Sequence, residues 1–253
     1  MLAQQRHREI LSRLGRGGGV QVAPLAVAFG VAQETIRRDL DKLEAEGKLV
    51  RTHGGAVPVQ NNRRELPFDL RKVTNLEAKK AIAARALRHV SEGDVIAVDA
   101  SSTVHELARI IPDMPLTVIT NSLPVAASLV DGVHIRVVVT GGMLDAPSRS
   151  FTGTLAEQAL ERFNVNKLFL SAKGVDLARG LSEVTDEQAR VKRRMIDAAE
   201  RTYLLADHGK FGVRSVVFYA SLADVDLVIT DAGTDAAVIE ELTRMGVKTD
   251  IGG

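Results

Sequence analysis

The stretch from Gln33 to Ala56, QETIRRDLDKLEAEGKLVRTHGGA, joins a helical pattern to a glycine stop and a short alternating run that closes on a glycine pair. Ile36, Leu40 and Leu43 fall at i, i+4 and i+7, the spacing of a buried helical stripe. At about 100° per residue, Glu34, Arg38 and Asp41 point the other way, with Thr35 and Arg37 on the flanks. The outer face of this helix therefore carries adjacent arginines. A guanidinium fork can grip guanine O6/N7 or a phosphate, and Thr35 can reach a phosphate or a thymine methyl. The bland alternative is a solvated helix in which Glu34 and Arg38 form an ordinary i, i+4 pair.

The flanking sequence favours the first reading. Upstream, QQRHREILSRLG is helical, with Ile10, Leu11 and Leu14 on one face, and GRGGG stops it. PLAVAFG predicts a second helix, with Pro24 in its first turn and Gly30 at its end. The helix carrying the arginines is then the second of a helix–turn–helix, the one that enters a major groove. GKLVRTHGGA predicts a strand, a turn and a return. Leu49 faces inward, Lys48, Arg51 and His53 ring the tip, and Gly54–Gly55 supply the tight turn and close backbone approach. Residues 1–57 thus predict a winged helix–turn–helix. The run ETIRRDLDKLEAEGKLVRTHGGA resembles the N-terminal domain of the DeoR family of bacterial transcriptional regulators. Ala32 departs from the serine which that family usually places there as a helix cap.

The chain has 253 residues, enough for a small domain and a medium one. It lacks cysteine, which excludes disulfides, thiol catalysis and cysteine-ligated zinc, and a reducing cytosol is the expected setting. Trp is also absent, which disfavours stacking on single-stranded bases. MLAQQRHREI does not read as a signal peptide, and no apolar run approaches the ~20 residues of a membrane span. The net charge of +1 is unevenly spread. Residues 1–73 hold 13 Lys/Arg against 8 Asp/Glu, and residues 74–253 hold 20 against 24. A basic head on a mildly acidic body suits a head that meets a polyanion, although scatter alone can give such a split.

Residues 58–74 contain two prolines and a polar cluster and read as a connector with little regular structure. Arg63 and Arg64 lie within it and could touch phosphates, or simply be solvated. From residue 75 to residue 253, short Val/Ile/Leu-rich strands alternate with helical patterns, which predicts a mostly parallel α/β sheet covered on both faces. Ligands of such sheets bind beyond the carboxyl ends of the strands. The strand ends, in order, are DASST with Asp99, Ser101, Ser102 and Thr103; TNS with Asn121; TGG with Gly141 and Gly142; SAKGVD with Lys173 and Asp176; and ADHGK with Lys210. Hydroxyls at a helix start suit an anion, or simply cap the helix. No metal-ligand spacing, Walker loop or dinucleotide fingerprint is present, so no cofactor is expected.

These strand ends resemble the sensor domain of the DeoR family, similar in fold to ribose-5-phosphate isomerase and the CoA-transferase group. The resemblance implies a phosphorylated sugar or related metabolite as effector, double-stranded operator DNA as partner, and a homodimer or homotetramer. It places the phosphate at Ser101, Ser102 and Thr103 with Lys210 adding charge, and the sugar beside Asp99, Asn121, Lys173 and Asp176. Ser101 and Ser102 stand where the family has glycine and threonine. The rival reading is a sugar-phosphate isomerase with an appended DNA-binding head, using Asp99 or Asp176 as base and Lys173 or Lys210 as electrophile.

Overall fold

The computed structural model describes residues 2–17, 20–46, 48–52, 54–58 and 65–252. They form two compact units: Met1–Asn61 with Asp69–Leu76, and Asn62–Phe68 with Glu77–Gly253.

The first unit is built on α1 (Ala3–Gly17), β1 (Val20–Gln21), α2 (Val22–Phe29), α3 (Gln33–Ala45), β2 (Leu49–Thr52) and β3 (Gly55–Pro58). The strands form one antiparallel sheet in the order β1–β3–β2. Ile10, Leu14, Leu25, Ile36, Leu40, Leu43 and Leu49 pack into its core. α1 runs through Gly15, where the sequence reading stopped it, because one glycine costs only about 1 kcal/mol in a helix already anchored by packing. Gly30 ends α2 in the left-handed conformation at φ 63°.

Asp39 is buried on the inner side of α3, beside the arginines in sequence and opposite them in space. Arg6 Nε and Nη2 of α1 donate to its two carboxylate oxygens at 2.7 and 3.1 Å, and His7 Nε2 lies 2.9 Å from Oδ1. Burial pushes this carboxyl up, but the bonds from Arg6 and His7 outweigh it and hold Asp39 below the usual range. The start of α3 is less well secured. Ala32 occupies the extended N-cap position at φ −64° and ψ 147° with no side-chain cap. Ala32→Ser is therefore expected to stabilise the head by about 0.5–2 kcal/mol, read as slower amide exchange in the first turn of α3. Unchanged exchange there would mean that the serine does not cap.

The Thr52–Gly55 pair closes the wing, with Gly54 at φ 101° in its turn. A Cβ on Gly55 would stand 2.0 Å from the Val20 carbonyl oxygen, so its close approach is to β1. Two side chains depart from the expected ring around the tip. Lys48 precedes β2 at the opposite end of the hairpin and pairs with Glu46 at 2.6 Å. Arg51 is on the strand, but its guanidinium folds back to the Gly55 carbonyl and Asp41, both at 3.0 Å. His53 lies outside the described residues, as do Arg63 and Arg64.

The stretch read as an irregular connector contains the short helix α4 (Phe68–Arg71), closed by the Thr74 hydroxyl donating to the Leu70 carbonyl at 3.0 Å. Four residues are too few to show a helical periodicity. Phe68, its first residue, is buried in the second unit: its N–H donates to the Pro147 carbonyl at 2.8 Å and its ring meets His105 edge-on at 5.3 Å.

The second unit adds α5 (Leu76–Leu87), β4 (Val95–Val98), α6 (Ser102–Ala108), β5 (Leu116–Thr120), α7 (Leu123–Leu129), β6 (Ile135–Val139), β7 (Met143–Asp145), β8 (Ser150–Thr152) and α8 (Thr154–Leu160). It continues through β9 (Lys167–Leu170), β10 (Gly174–Asp176), β11 (Gly180–Glu183), α9 (Asp186–Asp197), β12 (Thr202–Leu205), β13 (Val217–Ala220), β14 (Leu227–Asp231), α10 (Ala236–Arg244) and β15 (Lys248–Gly252). Seven strands make one wholly parallel sheet in the order β15–β14–β12–β9–β4–β5–β6. Side-chain alternation divides its core in two. Ala97, Leu168, Leu170, Leu204 and Val228 face Leu160, Val191, Met195 and Leu242 of α8, α9 and α10. Ile96, Val98, Phe169, Leu205 and Ile229 face Ile82, Val104, Leu107 and Val125 of α5, α6 and α7. The antiparallel pair β7–β8 and the sheet β10–β11–β13 were not read from sequence, since strands of three or four residues carry too little alternation. Among the described residues, no helix is long and apolar enough to cross a membrane.

Candidate functional site

On α3 the buried stripe fixes what the other side presents. Ile36, Leu40 and Leu43 are wholly enclosed, while the side chain of Arg38 is 80% exposed and that of Arg37 is 51% exposed. Both arginines lean on Glu34 through long contacts of 3.4 and 3.6 Å. Such exposed pairs hold weakly, about 0.3–0.5 kcal/mol each, so a stronger acceptor can draw either arginine away. Thr35 is half-buried on the flank.

In the second unit, parallel strands necessarily end on one edge, so Asp99, Asn121, Gly141, Lys173 and Lys210 all follow carboxyl ends of the same sheet. Their surroundings differ. Asp99 is wholly buried. Its Oδ1 accepts from the Ser101 N–H and its Oδ2 from the Ser171 N–H, both at 3.0 Å, and Lys192 Nζ stands 2.9 Å from Oδ2. It is part of the floor, held in place by two backbone N–H groups and a buried ammonium. Ser101 spends its hydroxyl capping α6, accepting from the Val104 N–H at 3.2 Å, and Ser102 and Thr103 are buried beside it.

Asn121 is also buried. Its Nδ2 donates to the Phe151 carbonyl at 3.1 Å, while Oδ1 has no hydrogen-bond partner among the described residues. A buried acceptor left unmet costs about 1–3 kcal/mol. Gly141, at φ 69°, has open space on its Cβ side. Gly142 does not share that role: a Cβ there would meet the Thr152 carbonyl oxygen at 2.5 Å, so its small size serves the β7–β8 fold. Lys173 is half-buried just before β10, with its N–H donating to the Ser182 carbonyl at 3.0 Å. Asp176 is turned to other work. It accepts from the Ala178 and Arg179 N–H groups and from Arg214 Nε, which holds it below the usual carboxyl range. Lys210 closes the turn after β12, and its ammonium has no hydrogen-bond or ion-pair partner among the described residues.

Four groups here escaped the sequence reading. Lys192 of α9 is buried beneath the strand ends, where its ammonium donates to Glu183 Oε1 at 2.5 Å and to the Ser171 carbonyl at 2.6 Å and forms an ion pair with Asp99 at 2.9 Å. Burial alone would discharge this ammonium, but the two carboxylates outweigh it and keep it charged far above neutral pH. The other pair is His208 and Asp231. His208 Nδ1 lies 2.8 Å from Asp231 Oδ2, and the His208 N–H donates to Oδ1 at 2.8 Å. Burial raises the Asp231 carboxyl, and the histidine bonds overcome that and hold it below its ordinary range. Among the described residues, no cluster of His, Asp or Glu could hold a metal ion.

Residues 6–62 match the DeoR-like helix-turn-helix domain, and residues 74–232 match the DeoR C terminal sensor domain. The chain belongs to the DeoR family. Relatives span almost its whole length. It is 46% identical to the uncharacterized HTH-type transcriptional regulator YulB of Bacillus subtilis, over 98% of this chain and 96% of that protein. It is 39% identical to the L-fucose operon activator of Haemophilus influenzae, over 88% and 89% of the two chains. Identity to the putative aga operon transcriptional repressor of Escherichia coli O157:H7 is 33%, over 96% and 92%. Ribose 5-phosphate isomerase A from Methanocaldococcus jannaschii aligns with a TM-score of 0.41 and 17% identity over 55% of each chain. The DeoR-family protein described here is thus a helix–turn–helix transcriptional regulator with a parallel α/β sensor domain.

Proposed function

We propose that this DeoR-family protein represses a sugar-catabolic operon in the cytoplasm and that a phosphorylated sugar modulates its grip on operator DNA. The carrying observation is the exposed arginine pair on α3, held outward by the buried Ile36, Leu40 and Leu43. Residues 1–57 read the DNA through Thr35, Arg37 and Arg38, with Lys48 and Arg51 nearer the backbone, and residues 75–253 sense the effector. Two copies match half-sites about 34 Å apart or a multiple of that, so the working form is a homodimer or homotetramer. Arg38→Ala is the direct test of the reading face. Unchanged operator affinity and unchanged salt slope would remove α3 from the interface.

For the effector, the two unmet groups indicate its chemistry. The acceptor Asn121 Oδ1 suits a sugar hydroxyl, and the Lys210 ammonium suits a phosphate. The buried cluster of Asp99, Glu183 and Lys192 carries a net negative charge, which disfavours a phosphate beside it and favours one at Lys210. Lys210→Ala should weaken binding of a pentose or hexose phosphate about 10- to 150-fold, the worth of a charged hydrogen bond. It should leave binding of the unphosphorylated sugar nearly unchanged. Calorimetry with matched pairs of sugars checks this, and equal losses for both would sink the phosphate assignment. The reading is one of sensing, not turnover, because Asp99 is wholly buried and held by two backbone N–H groups and Lys192, and Asp176 is held by Arg214 and two backbone N–H groups. Product formation from sugar phosphates would reverse it.

A further inference from the structure

We propose that Glu34 reads a cytosine in the operator, setting base preference beside the arginine pair. The inference rests on α3 facing the DNA, as proposed above. Glu34 lies in the first turn of α3, with 60% of its side chain exposed, on the same outward face as Arg38. A carboxylate there has an ordinary use, since it favours the positive end of the helix. Its placement among the DNA-facing cations requires more. A helix pressed into a groove between phosphates has every electrostatic reason to exclude an acidic side chain, and Glu34 is the acidic residue between which both arginines are shared. On DNA the arginines have stronger acceptors in guanine and phosphate, and the contacts of 3.4 and 3.6 Å release them readily. Glu34 is then left facing the groove with its charge unmet.

Cytosine N4 is the donor that a carboxylate meets on the major-groove edge of a G·C pair. Residues four apart on a helix are separated by about 6 Å along its axis, nearly two base-pair rises of about 3.4 Å, so Arg38 and Glu34 reach different base pairs close together. The expected half-site therefore carries a guanine for Arg38 and a cytosine within about two base pairs of it for Glu34. The same carboxylate repels phosphates and so weakens binding to DNA that lacks this cytosine.

The experiment selects tight binders from a pool of randomised 30-base-pair duplexes, using full-length protein and the variants Glu34→Ala, Glu34→Gln and Arg38→Ala. Glu34 is exposed, so none of these threatens the fold, and melting curves check it. Glu34→Ala should lose preference for cytosine at one half-site position, with discrimination there falling by about 5- to 150-fold. All other positions should keep their preference, and affinity for non-selected duplex should rise. Arg38→Ala should change a different, nearby position. If Glu34→Ala keeps every base preference while Arg38→Ala loses one, Glu34 merely buffers the arginines and the proposal is overturned, with α3 still the reading helix. If neither variant changes any preference or affinity, the reading of α3 itself falls and takes the proposal with it.

Discussion

Asp39→Ala unfolds the head while the sensor domain keeps its own melting transition. The substitution leaves the Arg6 guanidinium buried with its carboxylate partner gone, and removing one member of a buried ion pair costs about 3–5 kcal/mol. A domain of some 60 residues has about 3–9 kcal/mol in total, so most of the head's stability goes and DNA binding goes with it. Replacing both partners by apolar residues, Arg6→Met with Asp39→Leu, should recover much of the loss, because no charge is then stranded. Urea titration followed by circular dichroism reads both. A single variant melting within 1 kcal/mol of the parent would show the pair to be decorative. The pH dependence has a definite sign. The folded-state pKa of Asp39 is lowered, so its contribution is present above the unfolded value of about 4. It is lost as pH falls through the lower folded value. Acid should therefore destabilise the parent head more steeply below about pH 4 than it does a variant lacking this carboxyl.

Lys192→Met should damage the sensor domain comparably. It leaves Asp99 and Glu183 as like charges sharing one buried space, at an expected cost of about 3–5 kcal/mol. Glu183→Gln added to it should return part of that loss. Because the Lys192 pKa is raised, its stabilisation is complete below the unfolded value of about 10.4 and fades only as pH climbs through the folded one. The parent cluster should accordingly contribute equally at pH 6 and pH 9, whereas in Lys192→Met the crowded carboxylates take up a proton more readily, so the loss should be no smaller at pH 9 than at pH 6. A larger loss at pH 6 would contradict a permanently charged lysine.

The legible parts of this molecule are those where periodicity and burial coincide. Ile36, Leu40 and Leu43 announce the inner face of α3, and with it the outward direction of the arginines. Short apolar strands alternating with helices announce the parallel sheet, and a parallel sheet forces its polar tips onto one edge. What escaped is local accounting of partners. Asp99 and Asp176 look like ligand groups in the sequence, but backbone N–H groups and cations tens of residues away occupy them. Lys192 had a readable signal, standing at the i+4 position between Gln188 and Ile196 on the buried stripe of α9. A lysine in such a place needs anions, which only the folded chain can name. Asp39 is similar: directly following two surface arginines, it reads as one more surface charge until α1 is laid against it.

The order of strands in the large sheet also bears on how the protein is made. β4, the first of these strands in the chain, is central and lies between β5 and β9, and β9 begins only at Lys167. On the ribosome the winged head emerges complete and can fold on its own contacts. By contrast, β4, β5 and β6 pair early and then wait, with the inner edge of β4 bare and the Ala97 face of the sheet uncovered, until some thirty further residues emerge. At about 5–20 residues per second that interval lasts a few seconds. A nascent chain stalled between β6 and β9 would display an unpaired apolar edge, the kind that recruits other strands.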